Sequence, residues 1–226
     1  MLFLSRLTIT PEHEQARRDL GSPYELHRTL SKAFGDAPEG VHRKTHGVLF
    51  RVDDARQGGV PVLVQSTTEP DWTALPASYL ARLDEPKPFE PTFAEGQRLR
   101  FRLVANPVRR VNVEGKKHPR REPLVHPHAK EGVETGYLEW LARQAERHGF
   151  EVPIAHGVPR VDHVPFRVAP RRRIGANLTR SEVAHFGVRF DGLLTVADPV
   201  ALARGVREGI GSARAFGFGL LSLGPM

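Results

Sequence analysis

Between Leu2 and Ile9 the chain alternates apolar and polar positions, the period of a strand with one buried face. The polar stretch 11–20, carrying Arg17, Arg18 and Asp19, fits a surface helix that Gly21 interrupts. Ser22-Pro23 then opens a second helix. Ser22 suits the N-cap, Pro23 the first helical position, and Glu25 completes an S-x-x-E capping box. This helix is predicted to run to about Phe34 and to stop at Gly35. Strands are predicted at 47–53 (GVLFRVD) and 60–66 (VPVLVQS), joined as a hairpin through Gly58-Gly59. The segment 84–91 (DEPKPFEP), rich in proline and charge, reads as an extended linker.

The second half begins with the most regular alternation in the chain, QRLRFRLVA over 97–105. It puts Arg98, Arg100 and Arg102 on one face and Leu99, Phe101 and Leu103 on the other. The polar stretch 109–130 reads as an exposed loop or hairpin. An amphipathic helix follows over 133–148, with Val133, Tyr137, Leu138, Leu141 and Ala145 at helical spacing and Gly149 as its stop. Strands are predicted at 150–155, 163–169, 183–190 and 192–197, and a last helix from Asp198-Pro199 to about Arg207. The order of elements in both halves predicts α+β architecture: two tandem ferredoxin-like domains of the kind found in RNA-recognition modules, 1–94 and 95–226, with the boundary near residue 95.

Composition narrows the partner. The 226 residues carry a net charge of +7 and a pI of about 10.2. Of the 33 basic residues only six are lysine, and arginine presents the planar donor fork that suits phosphate and base edges. Such a chain, with no run of apolar residues long enough to span a bilayer, points to nucleic acid and away from membranes. The absence of cysteine excludes disulfides, thiolate metal sites and a cysteine nucleophile. It fits a cytoplasmic protein, and the N-terminus lacks the basic start of a signal peptide.

The helix over 23–34 carries the candidate chemistry. Leu26, Leu30, Ala33 and Phe34 form its buried stripe. Beside the stripe His27, Ser31, Tyr24, Arg28 and Lys32 share an arc of roughly 140° at 100° per residue. An imidazole, a phenol, a hydroxyl and two cations on one face suit RNA transesterification, in which the 2′-hydroxyl attacks the adjacent phosphate. Histidine can move either proton near neutral pH, a cation can stabilise the phosphorane, and the substrate supplies its own nucleophile, so no metal is needed. Judged alone, a histidine beside an apolar stripe is more often structural or solvated than catalytic.

The segment 17–32 (RRDLGSPYELHRTLSK) resembles the N-terminal motif of the CasE family, the precursor-CRISPR-RNA endoribonucleases of the type I-E Cascade complex. Similar agreement appears at 62–72 (VLVQSTTEPDW), 86–91 (PKPFEP), 96–107 (GQRLRFRLVANP) and the glycine-rich 209–221 (GIGSARAFGFGLL). The resemblance implies that Tyr24 and His27 are catalytic and that Arg28 and Lys32 contact the scissile region. It implies cleavage at the base of a CRISPR repeat stem-loop, retention of the product RNA, and assembly with other Cascade subunits.

Two further segments are candidates for holding RNA. Residues 165–175 (PFRVAPRRRIG), with Arg167, Arg171, Arg172 and Arg173, resemble the family's basic hairpin. Arg214 lies in the glycine-rich tail, where a structural role and an RNA contact both remain open. The tail has no G-K-[ST] ending and follows a helix, so it is not a nucleotide-binding loop. His126-Pro127-His128 lacks the cysteines or acidic cluster that a metal site would add, so neither metal nor cofactor is expected. His13, His118 and His148 are expected at the surface. A non-catalytic RNA-binding protein and a structural Cascade subunit are the alternative readings.

Overall fold

The computed structural model describes residues 1–35, 45–112, 115, 120–124, 133–153, 160–164 and 187–226. Two antiparallel sheets organise them. The first contains β1 (Leu2–Ile9), β2 (Leu49–Val52), β3 (Val60–Ser66) and β4 (Leu80–Leu83) in the order β2-β3-β1-β4. Helices α1 (Glu14–Leu20) and α2 (Pro23–Ser31) lie between β1 and β2 in sequence. A short 3-10 turn, Trp72–Ala74, takes the place of the second helix between β3 and β4. The buried Trp72 ring fills the space, and its indole N–H donates to Ser5 Oγ at 3.0 Å.

Residues 87–89 (β5, Lys87–Phe89) correct the linker expectation at 84–91. They pair with Leu2–Leu4 at one end of β1, while β4 pairs with Leu7–Ile9 at the other. Pro88 is tolerated because β5 pairs on one side alone. Phe89 and Phe93 also pack against the second core, together with Leu2.

The second sheet contains β6 (Arg98–Ala105), β10 (Arg160–Val164), β11 (Gly187–Val196) and β12 (Leu221–Gly224) in the order β10-β11-β6-β12, and β9 (Phe150–Glu151) pairs with the end of β11. Helices α3 (Val133–Arg147) and α4 (Pro199–Glu208) complete it. Asp198 caps α4 by accepting from the N–H groups of Val200 and Ala201. The hairpin β7 (Val108–Val111) and β8 (Arg120–Pro123) is inserted between β6 and α3. Both sheets therefore have the strand order of the ferredoxin-like fold, and the architecture is α+β with tandem ferredoxin-like units. The two strands expected at 183–190 and 192–197 are one strand. Asp191-Gly192 does not turn the chain, because Asp191 is held across the ladder by Arg102 and Gly192 lies opposite Phe101.

The halves meet through polar contacts that run from the buried interior to the surface. Gln65 Nε2 donates to the Val206 carbonyl at 2.8 Å. Arg51, on the back face of β2 and almost wholly buried, is held by Asp53 at 2.8 Å and reaches Ser222 Oγ of β12. Asp53 also faces Arg102 at 3.7 Å, and Arg189 pairs with Asp54 at 3.0 Å. Arg102, expected on the polar face of β6, is thus engaged in this junction. Among the described residues no helix is long and apolar enough to cross a membrane.

Candidate active site

Helix α2 forms where its sequence predicts, but its start differs in detail. Ser22 takes the extended backbone of an N-cap, yet its side chain makes no capping bond. Glu25 pairs with Arg28 at 2.9 Å, one turn along the exposed face, so the expected capping box does not close. Leu26, Leu30, Ala33 and Phe34 are buried as expected, joined by Pro23 and Thr29. The helix ends at Ser31 and tightens into a 3-10 turn over Lys32–Phe34 before Gly35, whose φ of 71° lets the chain leave.

On the neighbouring face Tyr24, His27 and Ser31 are half-buried, while Arg28 and Lys32 are exposed. The Ser31 hydroxyl donates to the His27 carbonyl at 2.7 Å, and its oxygen lies 3.5 Å from His27 Nδ1. The one hydroxyl proton is committed to the carbonyl, so lone pairs face the ring. This favours a proton on Nδ1 and leaves Nε2 as the basic nitrogen. Nε2 is enclosed by protein. The imidazole or what covers it must shift before Nε2 can reach any bound molecule.

Phe50 of β2 backs the imidazole, with ring centroids 6.1 Å apart at 46°. Behind Phe50 comes the glycine-rich tail. Its 3-10 turn, Arg214–Phe216, packs on α2, and the following Gly217 has φ 82°. A Cβ there would lie 3.0 Å from Phe50 Cε2. Gly219 is tighter still, since a Cβ would meet the Ile210 carbonyl at 2.7 Å, and the Ile210 N–H donates to the Gly219 carbonyl. The tail is thus a compact turn against the candidate helix. Arg214 Nε donates to the Gly211 carbonyl at 3.2 Å.

Sequence reasoning did not find Phe50. Its position in an apolar strand marks it as core, and nothing local says which side chain it backs. Two histidine expectations are corrected. His13 is half-buried because its Nδ1 caps α1 at Ala16 N and its ring meets Tyr79 edge-on. His148 is half-buried, with Nδ1 enclosed against Gly205 of α4. Arg167, Arg171, Arg172 and Arg173 lie outside the described residues, as do His118, His126 and His128. Among the described residues no three His, Asp or Glu side chains converge as metal ligands.

Comparison with known proteins places this geometry. The model of the family "CRISPR associated protein" matches residues 2–225. The CRISPR-associated endoribonuclease Cse3 of Thermus thermophilus is 39% identical, over 99% of this chain and all of that protein. The CRISPR system Cascade subunit CasE of Escherichia coli is 30% identical over the full length of both. The structure of Thermus thermophilus Cse3 bound to an RNA representing a pre-cleavage complex superposes with a TM-score of 0.79, at 36% identity and 99% coverage of each chain.

Proposed function

The chain belongs to the CRISPR-associated protein family, among its CasE members, and from that premise we propose that it is an endoribonuclease that cuts the stem-loop of CRISPR repeats in precursor RNA without a metal. His27 and Tyr24 are the catalytic pair. The 2′-hydroxyl at the cut site loses its proton and attacks phosphorus, the bond to the 5′-oxygen breaks, and that oxygen takes up a proton. The products carry a 2′,3′-cyclic phosphate and a 5′-hydroxyl. His27 supplies one of these proton transfers through Nε2, and Tyr24, one turn before it, orients the ribose.

The observation that carries the reading is the Ser31–His27 geometry, which holds the imidazole by its Nδ1 side on a helix face that also bears two cations. Arg28 and Lys32 stabilise the charge gathering on the phosphorane, with Arg28 released from Glu25 as RNA enters. Arg167, Arg171, Arg172, Arg173 and Arg214 hold the RNA. The name of the Escherichia coli relative supports assembly with other Cascade subunits, and in this reading the cut RNA stays bound to the protein.

The test is cleavage of a repeat hairpin RNA in excess EDTA by wild type and His27→Ala, beside an RNA with a 2′-deoxy sugar at the cut site. The expected result is full cleavage in EDTA, none with the variant and none of the deoxy substrate, all with RNA still bound. Loss of cleavage in EDTA overturns the metal-free mechanism. Binding with no product from wild type leaves a non-catalytic RNA-binding protein.

A further inference from the structure

Beside the tail turn that packs on α2, the C-terminal end of α3, the middle of α4 and the tail enclose a polar recess of about 330 Å³. Arg147 is the last residue of α3, Arg204 lies on α4, and Arg214 sits on the tail turn; all three line the recess. Neutral groups of Asn106, Gln144 and Ser212 face the same space, and Glu208 is its one acid among the described residues.

The two helices come this close because residue 205 is glycine. A Cβ there would stand 3.0 Å from His148 Nδ1, so a larger residue would press on His148, the residue that follows Arg147. Burial, then Arg147, Arg214 and Arg204, hold His148 below its ordinary pKa, and Glu208 only partly opposes them. Arg147 and Arg204 are exposed and make no ion pair among the described residues. Three guanidinium groups and one carboxylate line this concavity, a balance of charge that favours an anion. The planar guanidinium forks match phosphate oxygens, and Gln144 adds an amide to the lining, while Asn106 and Ser212 bond to each other. Trp140 does not offer a base-stacking surface, since it is buried and stacked on Phe190.

We propose that this recess binds a backbone phosphate of the RNA strand that is cut at His27, a few nucleotides from the scissile bond. The assignment rests on the proposed function, and Arg214 carries the argument. It belongs at once to the recess and to the turn seated on α2, so a strand leaving the helix face along the tail arrives at Arg147 and Arg204. The recess makes these two arginines RNA-positioning residues for the flank of the site.

The test is a scan of hairpin RNAs with single-stranded flanks, each carrying one neutral methylphosphonate, bound to full-length wild type and to the double variant Arg147→Ala/Arg204→Ala. Both residues are exposed, and circular dichroism verifies the fold of the variant. At one or two neighbouring positions close to the cut, the methylphosphonate is expected to weaken wild-type binding about tenfold and to weaken the variant's less than twofold. Equal losses in both proteins at every position overturn the proposal while leaving RNA cleavage intact. Absence of RNA binding by wild type overturns the proposed function and this assignment together. Saturable binding of inorganic phosphate with no coupled position on the RNA assigns the recess to a free anion and also overturns it.

Discussion

Ser31 holds His27 from one turn away, giving its only proton to the His27 carbonyl at 2.7 Å and setting its oxygen 3.5 Å from Nδ1. A hydroxyl bonded back to the preceding turn costs the helix little, so the contact serves the ring more than the fold. Ser31→Ala should leave RNA affinity and melting temperature nearly unchanged and lower single-turnover cleavage roughly tenfold, part of what a positioned acid or base contributes. An unaltered rate would remove Ser31 from the site.

Gly217 supports the other side of the imidazole through Phe50. Its φ of 82° and the 3.0 Å approach to Phe50 combine in Gly217→Ala, which should cost about 1–3 kcal/mol of stability by denaturant unfolding. Cleavage should fall further than RNA binding, because the ring behind His27 is displaced. Equal loss of both would show that the tail acts on the fold as a whole.

Asp53 neutralises a guanidinium that is almost completely withdrawn from water. Asp53→Ala strands Arg51 and should lower unfolding free energy by about 2–4 kcal/mol. The exposed Arg82–Asp84 pair has the same 2.8 Å separation, and its removal by Asp84→Ala should change stability by no more than about 0.5 kcal/mol. Comparable effects in the two variants would contradict the buried junction.

His148 makes stability depend on pH. Its folded pKa lies below the ordinary 6.5, through burial first and then Arg147, Arg214 and Arg204, so the unfolded chain binds the proton more readily. The neutral ring is fully accommodated above about 6.5, and stability falls as pH drops from there through the lower folded value. His148→Gln should flatten the melting temperature between neutral and mildly acidic pH. A wild-type curve that rises on acidification would reverse the sign of this effect.

The candidate helix was legible because several local signals agree on it. Ser22-Pro23 marks the start, the apolar spacing of Leu26, Leu30, Ala33 and Phe34 marks the buried stripe, and Gly35 marks the stop. The alternation of β6 likewise showed its buried face. What the sequence concealed depends on distant partners. The strand β5 looks like a linker because Pro88 and its charges suit one, and only pairing with Leu2–Leu4 makes it a strand. Asp191-Gly192 has the composition of a turn, and Arg102 and Phe101 on the next strand keep it straight. Phe50 and Gly217 are 167 residues apart, so no local pattern could announce that together they back His27.

That separation has a consequence during synthesis. His27 leaves the ribosome before Gly217, which follows 190 residues later. At translation speeds of 5–20 residues per second the interval is about 10–40 s. Throughout it, α2 has no tail turn against it and Phe50 has no backing. On the proposed function, the His27 ring of the nascent chain lacks its backing until the tail turn has been made, and cutting would begin only then.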